Sequence, residues 1–145
     1  MNNIYTIGFS QKNAERFFSL ICNHKIKTLI DVRLNNVSQL AGFTKKNDLA
    51  YFLKKICNAG YIHIPNLAPT KEILDAYKKK QIDWNQYEKD YYRLVQSRDI
   101  GSKLSLDLLE DACLLCSEPT ADKCHRRLAA EHLKTLFPSL AIRHL

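Results

Sequence analysis

The sequence predicts one doubly wound α/β domain over residues 1–145, with helices on both faces of a central, mostly parallel sheet of about five strands. Two observations predict it. Short, β-branched and apolar runs alternate with longer stretches of helical periodicity from one end of the chain to the other. No internal repeat, low-complexity tract or linker breaks that alternation, and 145 residues suffice to bury one proper core.

Asn3–Gly8 reads as a short buried strand carrying Ile4, Tyr5 and Ile7 and ending on glycine. Asn13 is placed to cap a helix running to about Asn23, with Phe17, Leu20 and Ile21 on one face. Thr28–Arg33 is the second strand, apolar until its last residues, and Leu34–Phe43 is expected as an ordered loop over the sheet edge. Asn47–Asn58 has Leu49, Phe52, Leu53 and Ile56 at helical spacing, with Gly60 expected to take the left-handed stop conformation. Tyr61–Ile64 is a third strand, closed by Pro65. Thr70–Lys80 and Asp83–Arg98 follow as helices, the second with Trp84, Tyr87 and Tyr91 in a core-facing stripe. Leu104–Leu109 adds a helical turn or two. Ala112–Cys116 is a strand, Cys124–Phe137 a helix, and Ala141–Leu145 a last short strand after Pro138.

Hydrophobic residues make up 46% and charged residues 26%, which places the chain among globular domains rather than disordered or membrane proteins. No apolar run approaches bilayer length, and Met1–Thr6 lacks the basic start and apolar stretch of a signal peptide, so a cytoplasmic location is expected. Five cysteines, an odd number, then read as reduced thiols rather than a disulfide framework. The net charge of +7, from 22 Lys and Arg against 15 Asp and Glu, favours anionic partners: phosphates, nucleotides or nucleic acid. Each lysine run, such as Lys78-Lys79-Lys80, also reads simply as a solvated helix surface.

The chemistry concentrates where the Ala112–Cys116 strand gives way to the next helix. Cys116, Glu118, Cys124, His125 and Arg126 fall within eleven residues there, and open α/β sheets bind ligands at the carboxyl ends of their strands. Cys113 and Cys116 have C-x-x-C spacing, but residues three apart on a strand point to opposite faces, so Cys113 is assigned to the core. Asp122 is the expected N-cap, which would put Cys124 and His125 in a first helical turn. There the helix dipole and Arg126 would lower the Cys124 pKa toward that of a nucleophile. His125 suits general acid–base work, and Arg126 suits bidentate binding of phosphate or carboxylate.

Asp31 and Arg33, at the end of the second strand, face the same way and read either as site groups or as a mutual ion pair. Gly8 allows close backbone approach, and Ser10 or its neighbouring N–H groups offer an oxyanion site. There is no G-x-G-x-x-G and no G-x-x-x-x-G-K-[ST], so neither a dinucleotide nor a P-loop mechanism is expected. The Cys-x-x-x-x-x-Arg phosphatase pattern fails too, because Asp122 stands where Arg is needed after Cys116. Cys116, Glu118, Cys124, His125 and His144 are permissible zinc or iron ligands. Their spacing fits no standard structural zinc site, and adjacent Cys124 and His125 on a helix rarely meet one ion. No metal is assigned, a metal at Cys116, Cys124 and His125 stays an open alternative, and no cofactor is expected.

Thr6-Ile7-Gly8-Phe9-Ser10, Asp31-Val32-Arg33, Leu114-Leu115-Cys116-Ser117-Glu118 and Cys124-His125-Arg126, taken together and in this order, resemble the prokaryotic family known as domain of unknown function 488. The resemblance covers nearly the whole chain, and Ile142-Arg143-His144 is similar to that family's C-terminal strand. Cys-His-Arg after a strand ending in Cys-x-Glu is its most specific part. Two departures stand out: Phe9 occupies a position where the family often has His, and Asn66–Lys71 replaces a loop that is often glycine-rich. The resemblance implies a fold and a site, without a reaction.

The leading functional expectation is an enzyme acting on a small anionic or phosphorylated substrate. Cys124, His125 and Glu118 are its catalytic candidates, and Arg126, Arg33, Asp31, Ser10, Gly8 and Cys116 its binding candidates. Two alternatives stay open: a basic nucleic-acid-binding or nucleic-acid-processing protein, and a non-catalytic module whose polar cluster holds the sheet end together.

Overall fold

The structure, a computed structural model, describes residues 2–36 and 42–145. Five strands form one all-parallel sheet: β1 (Asn2–Gly8), β2 (Thr28–Asp31), β3 (Gly60–His63), β4 (Ala112–Cys116) and β5 (Leu140–His144), in the spatial order β3-β2-β4-β1-β5. The helices are α1 (Ala14–Asn23), α2 (Lys46–Phe52), α3 (Lys71–Lys78), α4 (Trp84–Ser97), α5 (Leu106–Leu109) and α6 (His125–Leu136). This is the doubly wound α/β domain that the sequence predicts. Among the described residues no helix is long and apolar enough to cross a membrane.

β1, β2 and β4 bury both faces, so their alternating residues feed two cores, while the edge strands β3 and β5 are only partly buried. Ile4, Ile30, Ala112, Leu114 and Cys116 face one side, where Tyr91 and Val95 of α4 and Leu128 and Leu133 of α6 pack on them. Tyr5, Ile7, Leu29, Cys113 and Leu115 face the other, against Phe17 and Ile21 of α1 and Leu49 of α2. Cys113 and Cys116 therefore lie in opposite cores, as strand parity requires. Burial of each of these Leu, Ile and Phe side chains contributes about 1.5–3 kcal/mol. β4 lies between β2 and β1, whose following helices α1 and α2 lie on the opposite face from α6. The carboxyl end of β4 is thus a point where the winding reverses, which is where a doubly wound sheet opens a crevice.

The helix starts follow local capping chemistry. Asn13 Oδ1 accepts from Arg16 N at 2.8 Å, Thr70 Oγ1 from Ile73 N at 3.2 Å, and Asp83 Oδ1 from Gln86 N at 2.8 Å. The predicted end of the second helix differs. α2 runs into a widened, π-type turn over Leu53–Cys57 and stops at Asn58, the left-handed residue with φ 51° and ψ 38°. Gly60 instead opens β3, because Asn58 tolerates the left-handed region and arrives two residues earlier. In the expected loop Leu34–Phe43, residues 37–41 lie outside the described residues, and Gly42–Thr44 forms a short 3-10 turn.

The expectation of five reduced cysteines is also revised. Cys22 of α1 and Cys57 form a disulfide, whereas Cys113, Cys116 and Cys124 are free and buried. Compartment arguments say nothing about distance. α1 and the turn after α2 pack side by side, bringing the two Cα atoms to 5.0 Å, within bridging range.

Candidate functional site

Past their last paired residues, β1 and β4 continue side by side. Phe9 N donates to Cys116 O at 3.3 Å and Ser10 N to Ser117 O at 3.0 Å. Of the oxyanion donors expected at Ser10 and its neighbouring N–H groups, the amides of Phe9 and Ser10 are thus already engaged by backbone. Gly8 does permit a close approach, but to protein: a Cβ there would fall 1.6 Å from the Glu118 carbonyl oxygen and 2.6 Å from Arg126 Nη1. Any side chain at position 8 would displace the loop that leaves β4.

That loop reaches α6 through a start different from the expected one. Cys124, not Asp122, is the N-cap; it is extended, with φ −136° and ψ 138°, and its side chain makes no capping bond. Asp122 offers its backbone oxygen to Arg127 Nε instead. Being outside the helix frees the Cys124 side chain from helical geometry, so Cys124 and His125 turn toward the same point. Strand parity brings Cys116 there from β4. One side-chain ligand atom from each of Cys116, Cys124 and His125 lies within 4.8 Å of the others, and all three residues are buried.

The imidazole is fixed from behind. His125 Nε2 lies 2.6 Å from the Val32 carbonyl oxygen, to which it donates, leaving the Nδ1 lone pair toward Cys116 Sγ at 3.4 Å. The two thiols are electrostatically unequal. The Cys124 thiol donates to the Cys116 sulfur, and with the Ser117 N–H and the Arg126 charge this holds Cys116 below the ordinary thiol range despite its burial. The same hydrogen bond, reinforced by burial, pushes Cys124 well up. The expected shift of Cys124 is therefore reversed: its thiol is pushed up and that of Cys116 down, because Cys124 sits ahead of the helix as a donor rather than inside its first turn. Burial also pushes the Cys113 thiol up, as befits a core residue.

The arginines are more deeply committed than the sequence suggests. Arg33 Nε and Nη2 contact the two Asp31 oxygens at 2.9 and 2.8 Å, and Nη2 and Nη1 also reach Thr44 O and Oγ1. Tyr61 Oη, half-buried, donates to Asp31 Oδ2 at 2.6 Å and completes the network. Of the two readings of Asp31 and Arg33, the geometry is that of a mutual ion pair, which fixes the end of β2 and stacks the guanidinium over Phe9 at 5.5 Å. Arg126 is fully buried; Nη1 donates to Glu118 O and Nε to Thr6 Oγ1, which also meets His144 Nδ1 at 2.6 Å. Arg127 pairs with Glu131 and Glu88.

A cavity of about 330 Å³ opens over the sulfur–imidazole cluster. Its floor is Cys116, Cys124 and His125, its aromatic wall is Tyr77, Trp84 and Tyr87, and Lys78, Lys123 and Glu118 stand at its edge. Trp84 stacks on Tyr87 at 4.8 Å, with Tyr77 edge-on to the indole. Of the residues expected at the site, Cys116, Cys124, His125, Glu118 and Arg33 line this cavity, while Gly8, Ser10, Asp31 and Arg126 support it from outside. Sequence reasoning missed Lys78, Lys123 and the aromatic wall as site residues. The available signal was the long excursion between β3 and β4, whose helices must cover one face of the sheet beside the strand ends.

The class that fold and site define is an all-parallel α/β domain with a buried Cys–Cys–His cluster beneath a cleft at its strand ends. The family described as "Domain of unknown function DUF488" matches residues 13–133, and the chain belongs to it. No curated protein and no solved structure shows a significant match to the chain.

Proposed function

We propose that this protein is an enzyme in which the Cys116 sulfur attacks a small anionic or phosphorylated substrate held in the cleft above it. The observation that carries the reading is the junction of Cys116, Cys124 and His125 at the floor of a cavity of about 330 Å³. A cysteine beside an imidazole whose other nitrogen is tied down has the arrangement of an activated nucleophile. His125 Nδ1, 3.4 Å from the sulfur, takes the thiol proton and returns it to the leaving group. Cys124 orients the sulfur by donating to it. Lys78 and Lys123 are the anion contacts, in place of Arg33, whose guanidinium is held by Asp31 and Thr44, and of Arg126, which lies outside the cleft lining. Glu118, exposed at the edge, is the remaining group able to move a proton there.

A thermal-shift screen of phosphorylated and carboxylated small molecules tests this. A ligand that raises Tm in the wild type, and does so less in the Lys78→Ala/Lys123→Ala double variant, is the expected result. A screen in which no anion raises Tm contradicts the assignment of the cleft.

A further inference from the structure

The cluster on the cleft floor has the composition of a metal site as well as that of a nucleophile. Two sulfurs and an imidazole nitrogen lie within 4.8 Å of one another in a buried position. Their directions agree: Cys116 points to the α6 side of β4, and Cys124 is free of helical geometry as the extended N-cap. His125 turns Nδ1 inward because Nε2 donates to Val32 O at 2.6 Å. Metal-ligating histidines characteristically donate their second ring nitrogen to a carbonyl or carboxylate in this manner. Three protein ligands with a cleft above them leave a fourth position for water or a cleft-bound ligand, the arrangement of an open rather than a closed site.

We propose that Cys116, Cys124 and His125 bind one soft divalent cation of the zinc type, and that its occupancy closes the Cys116 sulfur to substrate. Charge favours it. Two thiolates and a neutral imidazole around a dication make a neutral group, far cheaper to bury than a bare ion. Thiolate and imidazole donors select zinc-like ions over magnesium or calcium, which prefer oxygen. Binding releases the two thiol protons to solvent and changes no oxidation state. Metal-bound and free-thiol forms exclude each other, so the ion acts as a reversible cap on the centre. This regulatory consequence rests on the reading of Cys116 as the reacting sulfur; the metal site itself does not.

The test is titration of the full chain with Co²⁺ under anaerobic conditions, without added thiol. One equivalent should produce a thiolate-to-cobalt charge-transfer band and intense visible bands of tetrahedral cobalt, and one equivalent of Zn²⁺ should abolish both. Cys124→Ser and Cys124→Ala, two variants so that a folding defect in one is recognised, should each weaken Co²⁺ binding by at least ~100-fold. Absence of a thiolate band, or a band unchanged in both variants, overturns the metal site. Iodoacetate labelling of Cys116 is followed in the same samples, with the expectation that Zn²⁺ slows it at least ~10-fold and EDTA restores it. Fast labelling that Zn²⁺ leaves unchanged overturns the cap and leaves the thiol reading intact. A cobalt band in a protein whose Cys116 never labels establishes the metal site and removes the thiol reading.

Discussion

The guanidinium of Arg33 holds the carboxylate of Asp31, two residues earlier in the same chain end, through contacts of 2.9 and 2.8 Å with both groups buried. This pairing anchors the cleft-lining segment after β2. Removing one partner leaves the other charge buried and alone, so Arg33→Met should lower stability by about 3–5 kcal/mol in urea unfolding. The double variant Asp31→Asn/Arg33→Met should lose less than the sum of the single changes. An Arg33→Met protein of unchanged stability that loses anion binding would make Arg33 a ligand clamp instead.

Gly8 is a second structural keystone. Glu118 O and Arg126 Nη1 occupy the space a Cβ would need, and one of those contacts is backbone. Gly8→Ala should therefore cost about 3 kcal/mol or more and displace the loop joining Cys116 to Cys124. Chemical denaturation measures the loss. A variant within about 0.5 kcal/mol of wild type, the range of ordinary surface changes, would contradict this account.

Tyr61 links the same network to pH. Burial first, and then its hydrogen bond to Asp31, push the phenol up to about 12 from an ordinary 10.0. The folded state favours the protonated phenol, so its stabilisation is complete below pH 10 and is lost as pH rises through about 12. Over that interval Tyr61→Phe should show a shallower fall in Tm than the wild type. Parallel curves would remove Tyr61 from the linkage.

Much of this was legible in the sequence. Short apolar runs between helical stretches located all five strands, most clearly β1 and β4 at the buried centre of the sheet, and the cap Asn13 marked a helix start. Strand parity assigned Cys113 to the core and left Cys116 at the site. The opposite shifts of the Cys116 and Cys124 thiols were not legible, because they turned on whether Asp122 or Cys124 caps α6, a difference of two residues at a helix boundary. The Cys22–Cys57 bridge and the roles of Lys78 and Lys123 depend on contacts between elements distant in the chain, which local pattern does not encode.

Cys116 is proposed as the reacting sulfur. Metal-free protein treated with limiting iodoacetate and mapped by mass spectrometry of its peptides tests it most directly. Cys116 should be carboxymethylated at least ~10-fold faster than Cys124 or Cys113, because its thiol alone of the three is held down and it lies at the floor of the cleft. Labelling of Cys124 ahead of Cys116, or labelling of all three only on unfolding, would contradict it.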